Sequence, residues 1–363
     1  MREILKDLSG FKEYVPGKGT DEVAREHGLA PDRMVKLASN ENPLGGSSEA
    51  VEAVRDNADQ VSVYPTALHE EMRERIADYV DVPSKNVVLG PGADGVFDTL
   101  GRALIGEGDE VLTPSPGFSY YGMSARYLGG KESNYHLSKP QNFEFSADKI
   151  LNDYDGEKIV YVTTPNNPTG NTLPPSDLRK VASEVEGLVI VDEAYWEFSD
   201  TDSAVSLVAD ANEGGMENVV VARTFSKAFG LAGMRLGYGV VPDWLASAYR
   251  KVTTPFSVGT LALYAGMGAL EDEEHLEKSV ELARWGREYM SRNLDVPTFD
   301  SEANFVLVDV SPMNSTEVTQ ELEKRGIIVR DTTSFGLPEC IRVSVGTKQQ
   351  TKRAVEEINS VCG

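Results

Sequence analysis

The chain has 363 residues, 40% of them apolar, which is enough for one large domain and a smaller one. Its formal net charge of −23 at pH 7 argues against nucleic acid as a partner, because phosphate binding needs a basic surface. No apolar run approaches the roughly 20 residues of a membrane-spanning helix, so we expect no membrane contact. The N-terminus mixes charges and lacks the apolar core of a signal peptide, and we therefore expect a cytoplasmic protein.

The acidic residues are spread along the chain and are not collected in a tail. This distribution suggests a surface adapted to high salt, because dissolved ions weaken the self-repulsion of so large a charge. An acidic protein without such adaptation is the alternative. The cysteines are too few for a disulfide framework, and the histidines, which we assign no role, show no metal-ligand spacing, so we predict no metal site. These residues are Cys340 and Cys362, and His27, His69, His136 and His275.

Residues 1–44 are predicted to form an N-terminal arm that belongs to the small domain. The arm contains two turn-rich segments, residues 14–18 and residues 36–45. Tyr64 then stands directly before a proline, in a pair typical of an ordered turn, and a predicted helix follows over residues 68–79. By themselves these segments indicate loops and packing rather than a function.

Short apolar runs alternate with helical stretches in the middle of the chain. Continuous apolar runs are typical of strands buried on both faces, and their alternation with helices favours a doubly wound, mainly parallel sheet. We therefore predict an α/β large domain over residues 45–255. The runs are residues 87–89, 111–112, 159–162, 188–191, 219–222 and 238–241. In such sheets ligands bind beyond the carboxyl ends of the strands, so polar residues that follow these runs are candidate site residues.

The first two runs are followed by a glycine-rich turn and by an aromatic residue. The turn opens a predicted helix over residues 96–105, so its free backbone N–H groups are suited to an anion, with a plain helix cap as the alternative. The residues of this turn are Gly92, Ala93 and Asp94. Phe118 stands two residues after a proline, where its ring either stacks on a ligand or packs in the core.

The next two runs end in segments that carry polar groups. Asn167 lies in Thr-Pro-Asn-Asn-Pro-Thr-Gly, in which two prolines fix a turn. Asp192 directly follows the fourth run, and Tyr195 comes three residues later. A carboxylate at a strand end either pairs with a cationic ligand group or caps a helix.

A lysine follows the fifth apolar run, in the segment S-K-x-x-G-x-x-G-x-R. Lys227 stands among small residues, with the hydroxyls of Thr224 and Ser226 before it and Arg235 after it. A lysine in such surroundings is expected to be desolvated, and a desolvated lysine can form a Schiff base with an aldehyde. A solvated lysine in a glycine-rich loop is the alternative.

The C-terminal part is predicted to form a smaller α+β domain over residues 256–363. Two helices come first and three strands follow. These elements are residues 260–270 and 273–293, then residues 304–308, 327–329 and 341–345. Arg330 and Arg342 stand beside two of the strands and are suited to hold an anionic group, unless they are ordinary surface arginines.

Taken in order, the motifs between residues 40 and 346 resemble those of the histidinol-phosphate aminotransferases, class-II aminotransferases with the type I fold of pyridoxal-phosphate (PLP) enzymes. The resemblance is carried by N-E-N-P-L-G, Y-P, N-P-T-G, D-E-A-Y and the lysine segment. It implies PLP bound to Lys227, with Asn167 and Tyr195 at the phenolic oxygen, Asp192 at the ring nitrogen and Arg235 at the phosphate.

The same resemblance implies roles for the remaining candidates. The cofactor would further contact Gly92, Ala93, Asp94, Phe118, Thr224 and Ser226, and Tyr64 from the second subunit of a homodimer. The substrate side would comprise Arg330, Arg342, Tyr14 and Asn42. The family usually has an acidic residue where this chain has Gly95, a departure that touches the helix start but not the backbone donors.

The activity implied is a ping-pong transamination of L-histidinol phosphate with 2-oxoglutarate, which gives imidazole-acetol phosphate and glutamate in histidine biosynthesis. Lys227 would move the proton at the substrate α-carbon. A phosphothreonine-type PLP decarboxylase and an aromatic-amino-acid aminotransferase are the alternatives. No motif marks a pocket for the imidazole ring.

Overall fold

The computed structural model describes residues 18–209 and 216–363, so the predicted substrate residue Tyr14 lies outside the described residues. The α-helices are α1 (Thr20–His27), α2 (Ser48–Asp56), α3 (Thr66–Val80), α4 (Gly92–Leu104), α5 (Tyr120–Tyr127), α6 (Ala147–Asp153), α7 (Pro175–Glu184), α8 (Val205–Ala209), α9 (Asp243–Val252), α10 (Thr260–Glu271), α11 (Glu273–Asn293), α12 (Ser315–Lys324) and α13 (Lys348–Cys362). The strands are β1 (Val35–Leu37), β2 (Val87–Gly90), β3 (Glu110–Ser115), β4 (Lys131–His136), β5 (Ile159–Thr163), β6 (Leu188–Asp192), β7 (Val219–Thr224), β8 (Gly237–Val240), β9 (Phe305–Asp309), β10 (Ile327–Asp331) and β11 (Cys340–Ser344).

A seven-stranded sheet forms the centre of the larger part, in the order β2-β8-β7-β6-β5-β3-β4. Strand β8 runs antiparallel to both neighbours, and the other adjacent pairs are parallel. Strands β5, β6 and β7 are buried along their whole length, as continuous apolar runs predict. The prediction of an α/β fold with a mainly parallel sheet between helices is therefore confirmed.

Strand β4 was not predicted, because its sequence Lys-Glu-Ser-Asn-Tyr-His has no apolar run. It lies at the edge of the sheet, where Tyr135 is its one buried residue. Charged and polar side chains at an edge discourage pairing with another chain, so the pattern that hid the strand fits its position.

The register of the parallel strands places their carboxyl ends along one rim. Thr163 at the end of β5 pairs with Asp192 at the end of β6, and Asp192 pairs with Ala222 in β7. Two residues further, β7 ends at Thr224. The segments that follow these strands therefore start side by side, as the strand-end rule predicts.

A second, four-stranded sheet has the order β1-β10-β11-β9. Strand β1 lies in a segment predicted as turns, and it pairs in parallel with β10, which joins the beginning of the described chain to its C-terminal part. Helix α10 packs against α2 and α3, where the backbone of Glu49 approaches Gly268 too closely for a side chain at that position. The domain boundaries after residues 44 and 255 stay a prediction, and the packing of α10 favours a later position for the second.

No helix in the described ranges combines the length and the apolar character that crossing a membrane requires.

Candidate active site

A cavity of about 260 Å³ opens at the carboxyl ends of the central strands, where the two sheets meet. Most of the predicted site residues line it: Ala93, Asp94, Phe118, Asn167, Asp192, Tyr195, Thr224, Ser226, Lys227, Arg235, Arg330 and Arg342. The lining also includes residues that sequence reasoning missed: Ala38, Ser39, Asn40, Ser119, Thr163, Ala194, Ala232, Ser334 and Phe335. Residues from widely separated segments thus converge on one concave site, which is the usual setting of a small-molecule centre.

Lys227 lies in the turn that follows β7, half-buried and directed into the cavity. Its Nζ donates a hydrogen bond to the carbonyl oxygen of Ser39 at 3.1 Å and lies 5.6 Å from the centre of the Tyr195 ring. The buried rings of Phe225 and Phe229, with centroids 4.8 Å apart, anchor the turn on either side of the lysine. The amine is therefore held in place by packing and by one neutral acceptor.

The segment before α2 supports the lysine turn from outside the cavity. Asn42 Nδ2 donates to the carbonyl oxygen of Ala228 and to Ser279 Oγ, both at 2.8 Å. Gly230 has φ +70°, and a Cβ there would lie 2.0 Å from the carbonyl oxygen of Gly45. Asn42 does not line the cavity, so its contact with substrate stays a prediction, while its hydrogen bonds support the lysine turn.

Asp192 ends β6 with its side chain buried at the base of the cavity. Its Oδ2 accepts a hydrogen bond from the Tyr121 hydroxyl at 2.5 Å, and its Oδ1 accepts one from the Ala194 N–H at 2.9 Å. Burial raises the pKa of Asp192 to about 6, while these two hydrogen bonds act in the opposite direction. At neutral pH the carboxyl group is therefore ionised, and it can pair with a cationic ring nitrogen.

Asn167 and Tyr195 present hydrogen-bond donors near each other. Arg342 donates to Asn167 Oδ1, which leaves Nδ2 with no hydrogen bond to any residue in the described ranges. The Tyr195 hydroxyl accepts a hydrogen bond from Asn40 Nδ2 at 3.0 Å, so its own proton remains available. An amide N–H and a phenolic O–H together suit an anionic oxygen such as the phenolate of PLP.

Arg235 and the start of α4 form the anion-binding end of the site. Arg235 Nη1 donates to Ser226 Oγ at 3.3 Å, and Nη2 lies 3.2 Å from Asp94 Oδ2. Thr224 Oγ1 donates to Ser226 Oγ at 2.9 Å. Gly92 has φ +78°, a backbone conformation that favours glycine, and a Cβ there would lie 2.7 Å from Arg235 Nη2, so a side chain would displace the guanidinium. Free N–H groups at a helix start beside an arginine fit a phosphate.

Gly95, where the family usually has an acidic residue, is explained by its neighbour in the first turn of α4. A Cβ at Gly95 would lie 2.3 Å from Cδ and 2.4 Å from Cγ of Pro91. The proline ring occupies the space that a side chain would need.

Phe118 and Tyr64 have different positions relative to the cavity. Phe118 lines it, half-buried, and contacts the Tyr121 ring edge-on at a centroid distance of 5.5 Å. Tyr64 is 74% exposed, stacks on Phe256 at 4.6 Å and does not line the cavity. Tyr64 therefore does not reach the cavity of its own subunit, and its role across a dimer stays a prediction.

Arg330 and Arg342 are cross-strand neighbours on β10 and β11. Arg342 is 5% exposed and donates from Nη2 to the carbonyl oxygen of Ala38 at 2.7 Å, besides its bond to Asn167. Arg330 lies at the cavity rim with its Cζ 5.8 Å from the Phe335 ring, and the structure shows no hydrogen bond or ion pair between it and the described residues. Arg342 is thus held in a fixed position in the cavity wall, and Arg330 is open to a ligand.

The missed lining residues depend on contacts that sequence patterns do not show. Asn40 takes φ +53°, and its side chain accepts a hydrogen bond from Ser344 Oγ at 2.7 Å. The Leu-Ala-Ser-Asn-Glu-Asn-Pro segment was recognised, but which of its side chains enters the cavity depends on this distant serine. Thr163, the last residue of its strand, could have been found by the rule that selected Asp192.

The residues of the site thus fit PLP group by group: an amine for its aldehyde, a carboxylate for its ring nitrogen, two donors for its phenolic oxygen and a helix start with an arginine for its phosphate. The model of the aminotransferase class I and II family matches residues 32–358. The chain belongs to this family of PLP-dependent transaminases.

Curated relatives that match over almost their full length belong to one group within this family. Histidinol-phosphate aminotransferases of Haloferax volcanii and Natronomonas pharaonis are each 52% identical over 358 residues, which cover 98% of this chain and 97% and 99% of theirs. The crystal structure of a histidinol-phosphate aminotransferase from Sinorhizobium meliloti in complex with pyridoxal-5′-phosphate superposes with a TM-score of 0.86 at 23% identity, covering 99% of this chain and 97% of that one. The resemblance found in the motifs is therefore confirmed, and the structural likeness supports the fold.

Proposed function

We propose that the protein transfers the amino group of L-histidinol phosphate to 2-oxoglutarate, giving imidazole-acetol phosphate and glutamate, as a cytoplasmic step of histidine biosynthesis. The full-length relatives named for this activity support the substrate. The observation in the structure that carries the proposal is Arg330, a cavity-lining arginine without a hydrogen bond or ion pair to the described residues. An open guanidinium at the rim suits a phosphate monoester or a carboxylate.

The reaction requires one site to accept two different anions in turn. Arg330 lies beside Arg342, and Ser334 lines the same side of the cavity. Because Arg342 is already bonded to Asn167 and Ala38, it contributes fixed positive charge, while Arg330 is free to adjust to either anion. We propose that this pair serves both the phosphate of histidinol phosphate and the distal carboxylate of 2-oxoglutarate.

The protein side of the chemistry follows from the positions of its own residues. PLP supplies the electron sink that makes the substrate α-proton acidic. We propose that Lys227 moves that proton as general base and acid, because its amine lies in the cavity wall. The amine donates a hydrogen bond to the carbonyl oxygen of Ser39, which is a neutral acceptor. Asp192 keeps a negative charge for the ring nitrogen, and Phe118 covers one side of the cavity.

Steady-state kinetics with Arg330→Ala tests the substrate assignment. We expect the KM for histidinol phosphate to rise roughly 10- to 100-fold, because a charge-assisted hydrogen bond to phosphate contributes about 1.5–3 kcal/mol. Arg284→Ala is the matched control, since Arg284 pairs with Asp200 outside this cavity. An unchanged KM in Arg330→Ala would remove the main structural argument for this substrate.

The same assay separates the two alternatives. If a phosphorylated substrate releases carbon dioxide and no glutamate forms, the protein is a phosphothreonine-type decarboxylase. Activity on phenylalanine well above that on histidinol phosphate would indicate an aromatic-amino-acid aminotransferase.

We also propose that the protein is a homodimer and that Tyr64 reaches the cofactor phosphate of the partner subunit. An exposed apolar patch supports the proposal: Val61 is 66% exposed, Val63 is 61% exposed and Tyr64 is 74% exposed, with Phe256 stacked beside Tyr64. An exposed patch of large apolar side chains is typical of a protein interface.

A further inference from the structure

Tyr121 lies directly behind the cavity wall, and its surroundings fix its hydroxyl group. The side chain is fully buried in α5. Its ring stacks on Tyr161 at a centroid distance of 4.5 Å and meets Phe97 and Phe118 edge-on at 5.3 and 5.5 Å. The hydroxyl can therefore point in one direction only, and that direction leads to Asp192 Oδ2 at 2.5 Å.

A second hydrogen bond determines which group donates to which. Thr163 Oγ1 lies 2.8 Å from the Tyr121 hydroxyl oxygen. An ionised carboxylate only accepts, and a phenol has one proton to give, so Tyr121 donates to Asp192 and Thr163 donates to Tyr121. Burial holds the pKa of Tyr121 well above its usual value, so the phenol keeps this proton. The three side chains form a directed chain, in which each bond polarises the next.

Two neighbouring acidic groups disfavour the negative charge of Asp192. Asp94 and Glu193 are acidic, and both raise the pKa of Asp192, as burial does. Glu193 Oε2 pairs with Arg223 Nη2 at 2.9 Å, and as a carboxylate Glu193 gives no hydrogen bond to Asp192. Besides the backbone N–H of Ala194, Tyr121 is the donor to this carboxylate within the described part of the chain.

We propose that Tyr121, backed by Thr163, is a positioning residue that keeps Asp192 ionised and correctly oriented for the ring nitrogen of PLP. The inference rests on the cofactor of the family and not on the proposed substrate. Without the phenol, a carboxyl group in so dry a place takes up a proton more readily and no longer pairs with a protonated pyridine ring. Tyr121 therefore acts through Asp192 and need not touch the cofactor.

Tyr121→Phe tests this, with Tyr161→Phe as the matched control. Tyr161 is the neighbouring buried ring, and its hydroxyl makes no hydrogen bond to the described residues, so its loss leaves Asp192 untouched. The readout is PLP affinity, measured by titrating the cofactor-free protein and following its fluorescence across pH. We expect Tyr121→Phe to bind PLP roughly 10- to 100-fold more weakly, as the loss of a hydrogen bond to a charged group predicts. In Tyr121→Phe we also expect the acid limb of the binding profile to move to higher pH. We expect Tyr161→Phe to change neither the PLP affinity nor the position of the acid limb.

Two results would overturn the proposal. One is wild-type PLP affinity and an unshifted pH profile in Tyr121→Phe. The other is an equal loss in both variants, which would show that packing of the rings, and not the hydrogen bond, matters. If Tyr121→Phe does not fold, Thr163→Val removes the donor to Tyr121, and a smaller shift in the same direction is expected, with no shift counting against the proposal. Histidinol phosphate is absent from these titrations, so they remain decisive if the substrate assignment fails.

Discussion

At the scale of single residues, some of the predicted side chains line the cavity, and another lies behind it and supports them. Lys227, Asp192 and Arg330 are in the cavity wall. Asn42 lies outside it and holds the backbone carbonyl that follows the lysine. Sequence reasoning could find the first group because each member follows a local pattern. It could not place Asn42, whose partner Ala228 is 186 residues away.

Asn42→Ala therefore distinguishes support of the lysine turn from contact with substrate. We expect a lower kcat and little change in the KM for histidinol phosphate, together with a loss of about 1–3 kcal/mol in the free energy of unfolding, because buried partners lose their hydrogen bonds. Kinetics and denaturant unfolding measure the two effects. Asn57→Ala is the control, since Asn57 bonds to Ala53 at a helix end away from the site. A raised KM with unchanged kcat would instead support the substrate role predicted from the motif.

At the scale of elements, the predictable strands were those whose burial is continuous. Strands β5, β6 and β7 are buried throughout, so their apolar runs were visible in the sequence. Strands β1 and β4 escaped because one is three residues long in a turn-rich segment and the other is polar at a sheet edge. Tertiary pairing, and not local preference, makes them strands.

The segment before α3 is the element on which the proposed dimer depends. In Val61→Asp, a charge would replace an apolar side chain of the exposed patch, and we expect the protein to become monomeric, because burying an unpaired charge is costly. Light scattering measures the mass, and PLP titration shows whether the loss of the partner's Tyr64 weakens cofactor binding. Trp244→Asp, at an exposed aromatic residue outside this patch, is the control. A wild-type protein that is monomeric at all concentrations would contradict the proposal.

At the scale of the whole molecule, charge is the property that sequence alone establishes, and packing is the one it does not. The net charge of −23 follows from counting residues. By contrast, the contact between Tyr121 and Asp192, 71 residues apart, appears only when the two elements pack. Fold class and most cavity residues were therefore predictable from local patterns, while the network behind the cavity was not.

The charge also leads to a prediction about stability. We expect the melting temperature to rise by roughly 5 °C or more between low and molar potassium chloride, because screening removes self-repulsion from the folded state. Sucrose at matched water activity is the control, since it is excluded from the surface without screening charge. Equal melting temperatures at low and molar salt would refute adaptation to high salt.

The hydrogen bonds between β11 and the segment that follows β1 have a consequence for how the molecule is made. Arg342 and Ser344 secure Ala38 and Asn40 across some 304 positions of the chain. On a ribosome, the lysine turn can emerge and meet its neighbouring strands well before those partners exist. The part of the cavity lining that these bonds hold is therefore completed late in synthesis. A nascent chain that stops before β11 would carry the Lys227 amine in an incomplete cavity.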